Sequence, residues 1–181
     1  MTKHIMSAAV GLGVVLGGCW SIYAVSTNKV SFGYNNNYEP DQPIPYSHKL
    51  HAGQLGIDCK YCHNTVEVSR HASIPPLNVC MNCHIQIRQV GGKDSPHLAK
   101  LVEAFESGNP IQWKKVHLLP DYVRFNHAPH IKAGRQCEEC HGPIREMDVV
   151  KQYKEMSMGW CVDCHRQQNK PALTNCITCH Y

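Results

Sequence analysis

The stretch PYSHKLHAGQLGIDCKYCH, residues 45–63, closes on Cys59-x-x-Cys62-His63 and carries two more histidines, His48 and His51, ahead of the cysteines. The Cys-x-x-Cys-His pattern returns at Cys80/Cys83/His84, Cys137/Cys140/His141, Cys161/Cys164/His165 and Cys176/Cys179/His180. These five copies use ten of the 11 cysteines and leave Cys19 alone.

Each copy reads as covalent attachment of a c-type haem. Two thiols add to the haem vinyl groups as thioethers, and the adjacent His reaches the iron as proximal ligand. Zinc would pair Cys-x-x-Cys units into four-ligand sites, but five units do not pair and zinc needs no His after every second Cys. A disulfide framework does not demand that His either. A thioredoxin-like motif expects one Cys-x-x-Cys near a βαβ pattern, and no such pattern is present. Five covalently bound haems c are expected.

A net charge of +4 with no basic run interleaved with aromatics argues against nucleic acid. Five haems bring ten propionates, which moves the nominal charge to about −6 and makes the chain charge a poor guide to partners.

Residues 5–25, IMSAAVGLGVVLGGCWSIYAV, carry no formal charge and are long enough to span a bilayer. Trp20 and Tyr23 stand near the far end, as interfacial aromatics do. A cleaved signal peptide would have a shorter apolar core and a small-residue cleavage site. Residues 16–19 resemble a lipobox, yet the apolar run continues past Cys19. With Met1 in place, an uncleaved anchor is the expectation, and Cys19 is read as a buried small apolar residue. Haem attachment in bacteria is periplasmic, so the C-terminal part is expected outside the cytoplasmic (inner) membrane. Gly13 and Gly17 form a Gly-x-x-x-Gly pair suited to a partner helix.

The expected layout is an anchor over 1–27, a proline-rich linker over 28–45, a dihaem module over 46–90, a helical connector over 91–120 and a trihaem module over 121–181. The modules repeat one another: Tyr46-Ser-His48-x-x-His51 precedes Cys59 as Phe125-Asn-His127-x-x-His130 precedes Cys137. Residues 95–108 read as a helix, with Ser95 as N-cap, Pro96 in the first turn, Gly108 as stop and an apolar stripe of Leu98, Leu101, Val102 and Phe105. A second helix is expected over 146–158. About 30 residues per haem are too few for a conventional side-chain core, so the porphyrins are expected to serve as the core.

The proximal ligands are His63, His84, His141, His165 and His180. If protein also fills the other axial position, the haem carries electrons; if that position is open, it can bind a substrate. His48, His51, His71, His97, His117, His127 and His130 are available, with methionines in reserve. His97 and His71 read best as surface residues. Residues at i and i+3 share a helix face but diverge along it, so each His-x-x-His can serve two neighbouring irons.

Phe-x-His-x-x-His followed by Cys-x-x-Cys-His resembles the small class III multihaem cytochromes c, including the triheme kind. That resemblance implies a mainly α and irregular, haem-packed fold. It implies His48 on the haem of His63, His127 on that of His141 and His130 on that of His165. His51 would serve the haem of His84 or one in the other module, with His117 its rival at His84. Where the family has a His before the next-to-last motif, this chain has Met158. The resemblance therefore implies His/Met ligation of the haem of His180, which raises its potential.

The wider pattern adds Cys62-His63-Asn-Thr-Val-Glu, Ile74-Pro-Pro, Cys80-Met-Asn-Cys83-His84 and Trp113-x-x-Val-His117-x-Leu-Pro-Asp121. Over nearly the whole chain this is similar to the pentahaem subunit of bacterial alternative complex III. It also resembles the multihaem subunit of the related menaquinone reductase complex, which is expected to carry a sixth motif. The resemblance implies an electron-transfer subunit of a quinol-oxidising oxidoreductase complex and no enzyme by itself. It also implies an iron–sulfur subunit as donor, integral membrane subunits against the Gly-rich helix, and a monohaem cytochrome, soluble carrier or terminal oxidase as acceptor. The alternatives are a self-sufficient membrane-anchored quinol dehydrogenase or a multihaem reductase, either of which needs an open haem.

Overall fold

The computed structural model describes residues 2–26, 35–167 and 174–181, the side chains of 2–9 and 25 excepted. Its helices are α1 Thr2–Ser26, α2 Cys59–Cys62, α3 Leu77–His84, α4 Pro96–Ser107, α5 His127–Lys132, α6 Cys137–His141 and α7 Met158–Gln167. Strand among the described residues is limited to the antiparallel pair β1 Gln89–Val90 and β2 Lys93–Asp94. The architecture is mainly helical and irregular, as the motifs imply.

Helix α4 forms where its caps put it. The Ser95 hydroxyl accepts from the Leu98 backbone N–H, Pro96 occupies the first turn, and Gly108 closes the helix in the left-handed region at φ 71°. Leu98, Leu101 and Val102 pack on Leu77, Cys80 and Met81 of α3, with Ile44, Ile111 and Trp113 alongside. Phe105, expected on the same stripe, is 42% exposed. The described side-chain core is small and sits at one motif helix, which fits too few residues per motif to build a larger one.

The segment expected as a helix over 146–158 is not one. A 3₁₀ turn over Ile144–Glu146 ends there, and the next helix begins at Met158. The intervening chain is drawn into extended pairing instead: Asn37 N–H donates to Gln152 O at 2.8 Å and Gln152 N–H donates to Tyr38 O at 3.0 Å. The Gln152 side chain, 1% exposed, accepts from Leu118 N–H and donates to Lys154 O. The described part of the expected linker is therefore docked. Gln42 makes two bonds with the Lys114 backbone, and Ile44 lies in the core.

Helix α1 shows Val10, Leu12, Val14, Val15, Leu16, Trp20 and Ile22 each at least 60% exposed, and Cys19, expected to be buried, is exposed as well. Among the described residues no helix is long and apolar enough to cross a membrane. The anchor expected over 1–27 falls partly outside them.

Candidate functional site

Each motif sits on a short helical turn with a reason to start where it does. Asp58 accepts from Lys60 N–H to cap α2, Ser157 accepts from Trp160 N–H at the start of α7, and Asn175 accepts from Ile177 N–H to cap the 3₁₀ turn Cys176–Thr178. Cysteines three apart on such a turn lie on one face, and the following His projects from its end. No disulfide joins any of the eleven cysteines.

The ring nitrogens are held in a common way. His63 Nδ1 lies 2.5 Å from Ser73 O, His84 Nδ1 2.9 Å from Ile87 O, and His180 Nδ1 3.0 Å from Tyr122 O. Among the upstream histidines, His51 Nδ1 lies 2.8 Å from Ser47 O, His127 Nδ1 2.9 Å from Arg70 O and His130 Nδ1 2.7 Å from Asn126 O. A carbonyl can only accept, so each of these rings carries its proton on Nδ1 and turns the Nε2 lone pair outward. This is the tautomer a metal ligand needs.

The rings also pair across motifs. Centroids of His51 and His84 are 6.2 Å apart, those of His130 and His165 5.9 Å, and those of His127 and His141 6.4 Å with planes 4° apart. Two imidazoles on opposite sides of one metal sit at roughly 6 Å, given metal–nitrogen bonds of about 2 Å. His48 is half-buried; burial, then His63 and His51, lower its pKa to about 4. Burial, then His117 and other rings, lower that of His141 to about 3. Both rings are neutral at pH 7 and keep a lone pair for a metal.

The two His-x-x-His copies are superimposable in their contacts. Tyr46 lies edge-on to His48 at 4.8 Å and stacks on His51 at 4.5 Å; Phe125 lies edge-on to His127 at 4.8 Å and faces His130 at 4.6 Å. Each copy is held by the other half of the chain. The π-helical turn Lys49–Gln54 rests on Ile144–Glu146, with Lys49 N–H on Met147 O, Ser47 Oγ on Asp148 and Arg145 on Ala52 O. Gly53 permits this contact, since a Cβ there would collide with the Arg145 carbonyl.

Neighbouring thiols link the motifs. Burial, then Cys80, raise the pKa of Cys62; burial, then a contact with Cys59, raise that of Cys137. Burial, then Glu139 and Cys164, raise Cys140, and burial, then Cys179 and Cys140, raise Cys161. Through these neighbours the motifs follow one another as second, first, third, fourth, fifth.

His117 is not near His84, where it was a candidate. Its Nε2 lies 3.1 Å from His141 Nδ1, and the rings are edge to face at 4.4 Å. Met158 begins α7 and is 70% exposed; Cys83 and Cys176 are exposed too. His71 and His97 are exposed, as read from sequence. The carbonyls of Ser47, Arg70, Ser73, Ile87, Tyr122 and Asn126 went unread because a backbone acceptor leaves no side-chain signal. Among the described residues, no three His, Cys, Asp or Glu side chains converge on a metal-ion site. The donor set fits haem c instead: paired thiols and Nε2-presenting imidazoles at facing distance.

The family described as cytochrome c7 and related cytochrome c matches residues 123–181. The chain is also 30% identical to the menaquinone reductase multihaem cytochrome c subunit of Nitratidesulfovibrio vulgaris, in a 166-residue alignment covering 78% of each chain.

Proposed function

The chain belongs to the multihaem cytochromes c, and from that premise we propose that it relays electrons as the pentahaem subunit of a quinol-oxidising membrane complex of the alternative complex III kind. The observation that carries this reading is the succession of five Cys-x-x-Cys-His motifs through neighbouring thiols, with imidazole pairs facing one another at 5.9–6.4 Å. Bound haem c supplies a one-electron carrier whose potential its axial ligands set. The chain's own residues would hold it: ten thiols would attach it, and His63, His84, His141, His165 and His180, with His48, His51, His127, His130 and Met158, would supply the donors to iron.

With both axial positions filled, no substrate is turned over on this subunit. An iron–sulfur subunit donates, and a monohaem cytochrome, a soluble carrier or a terminal oxidase accepts. The uncharged run of residues 5–25 and the exposed apolar side chains of α1 favour a single-pass anchor in the cytoplasmic membrane. Its glycines would let integral subunits approach, and the haem modules would face the periplasm.

The relative named for menaquinone reductase favours a second reading, a subunit that passes electrons to a quinone. Purification in mild detergent tests both. Five haems per chain, reduction of those haems by added quinol, and co-purifying iron–sulfur and membrane subunits are expected. Haems oxidised by quinone but never reduced by quinol would favour the second reading. High-spin ferric haem in the resting enzyme would favour a reductase with an open haem.

A further inference from the structure

Six histidines of the site place Nδ1 against a backbone carbonyl, and His141 does not. Its Nδ1 meets the Nε2 of His117 at 3.1 Å, edge to face. His117 is itself held in place. Val116 before it is buried, and Leu118 N–H after it donates to the Oε1 of the buried Gln152 side chain, whose backbone pairs with Asn37 and Tyr38. The His127 ring lies parallel to that of His141, with centroids 6.4 Å apart. The motif in the middle of the spatial succession therefore has an imidazole where those of His63, His84 and His180 have an amide oxygen.

We propose that His117 is not an iron ligand but a positioning residue for one: it accepts the Nδ1 proton of His141 and so fixes and tunes the central haem. The inference rests on the haem reading above. With the proton on His141 Nδ1, the His117 Nε2 must be the lone-pair nitrogen, and the His117 proton lies on its own Nδ1. An imidazole nitrogen is a stronger acceptor than an amide oxygen. It draws the Nδ1 proton further from His141 and makes the coordinating Nε2 a stronger donor. A stronger axial donor favours the ferric state and lowers the potential. The central haem is thereby set lower than an otherwise identical haem with a carbonyl partner. The contact also fixes the plane of the His141 ring parallel to that of His127.

The test uses the full chain loaded with haem, in detergent. His117→Phe removes the acceptor and keeps an aromatic ring; His117→Gln returns an acceptor oxygen near the Nε2 position. His117→Phe is expected to retain five haems and low-spin ferric signals. One midpoint potential should rise by the equivalent of about tenfold in the ferric–ferrous equilibrium, about 59 mV for one electron, and one low-spin resonance signal should change its anisotropy. His117→Gln should restore most of both. Five haems with all potentials unchanged would overturn the inference, and so would a new high-spin signal, which would make His117 a ligand. If the Phe variant does not load, nitrogen–nitrogen coupling across the His141–His117 hydrogen bond in the reduced native chain decides: its presence supports the contact and its absence sinks it. A native chain without haem would instead overturn the haem reading itself.

Discussion

The carbonyl oxygen of Arg70 takes two hydrogen bonds from His127, 3.2 Å from its backbone nitrogen and 2.9 Å from its ring Nδ1. A loop of the first half thus sets both the position and the tautomer of His127 in the second. The reverse contact runs from residues 145–148 to the turn that carries His48 and His51. Each half therefore positions the His-x-x-His segment of the other, and on the haem reading neither half is expected to hold its haems correctly alone.

His51, not His117, faces His84, at 6.2 Å between ring centroids. His51→Ala should therefore open one iron. Optical and resonance spectra of the ferric protein should show one high-spin haem in five, with the haem count unchanged. Five low-spin haems would mean that another residue closes the iron of His84.

Gly53 marks the tightest backbone approach between the two halves. Gly53→Ala sets a Cβ against the Arg145 carbonyl, a backbone atom that cannot swing away. The cost expected for such overpacking is about 1–3 kcal/mol, read as a lower midpoint in chemical denaturation. Because the shifted turn carries His48 and His51, the first-module haems should also lose low-spin character first. Native stability in Gly53→Ala would show that the turn can lift without loss.

Gln152 makes side-chain bonds to Leu118 N–H at 3.3 Å and to Lys154 O at 3.2 Å while 1% exposed. Gln152→Leu fills the volume and leaves both partners unsatisfied, which costs about 1–3 kcal/mol for a buried group. Thermal unfolding of the loaded chain measures this. A variant as stable as the parent would mean that water replaces the amide.

What could be read in the sequence was what side chains carry. Ser95, Pro96 and Gly108 delimit α4 by local chemistry, and the repeat of Tyr46/His48/His51 in Phe125/His127/His130 announced the shared geometry that the ring contacts display. The segment over 146–158 misled because helix-compatible residues there are claimed by long-range pairing of Gln152 with Asn37 and Tyr38, which no local pattern encodes. His117 reads from sequence as a candidate for the haem of His84 because type and spacing do not reveal that its ring meets that of His141. The carbonyl partners and the order of the motifs belong to tertiary contacts alone.

Met158 stands one turn before Cys161 on α7, and the Cys161 thiol has Cys179 of the last motif as a neighbour. Its side chain is 70% exposed within the protein fold, so an apolar thioether is held beside the fourth and fifth motifs without packing into protein. If it ligates the haem of His180, that haem alone has a thioether opposite an imidazole and takes the highest potential of the five. Met158→His should then lower one step of the redox titration and abolish the His/Met absorption signature, with five haems retained. Met158→Leu keeps the apolar bulk and removes the sulfur, so a new high-spin signal from that variant separates ligation from packing. If both variants titrate like the parent, Met158 is a packing residue, and the potential gradient must come from His117 or from burial.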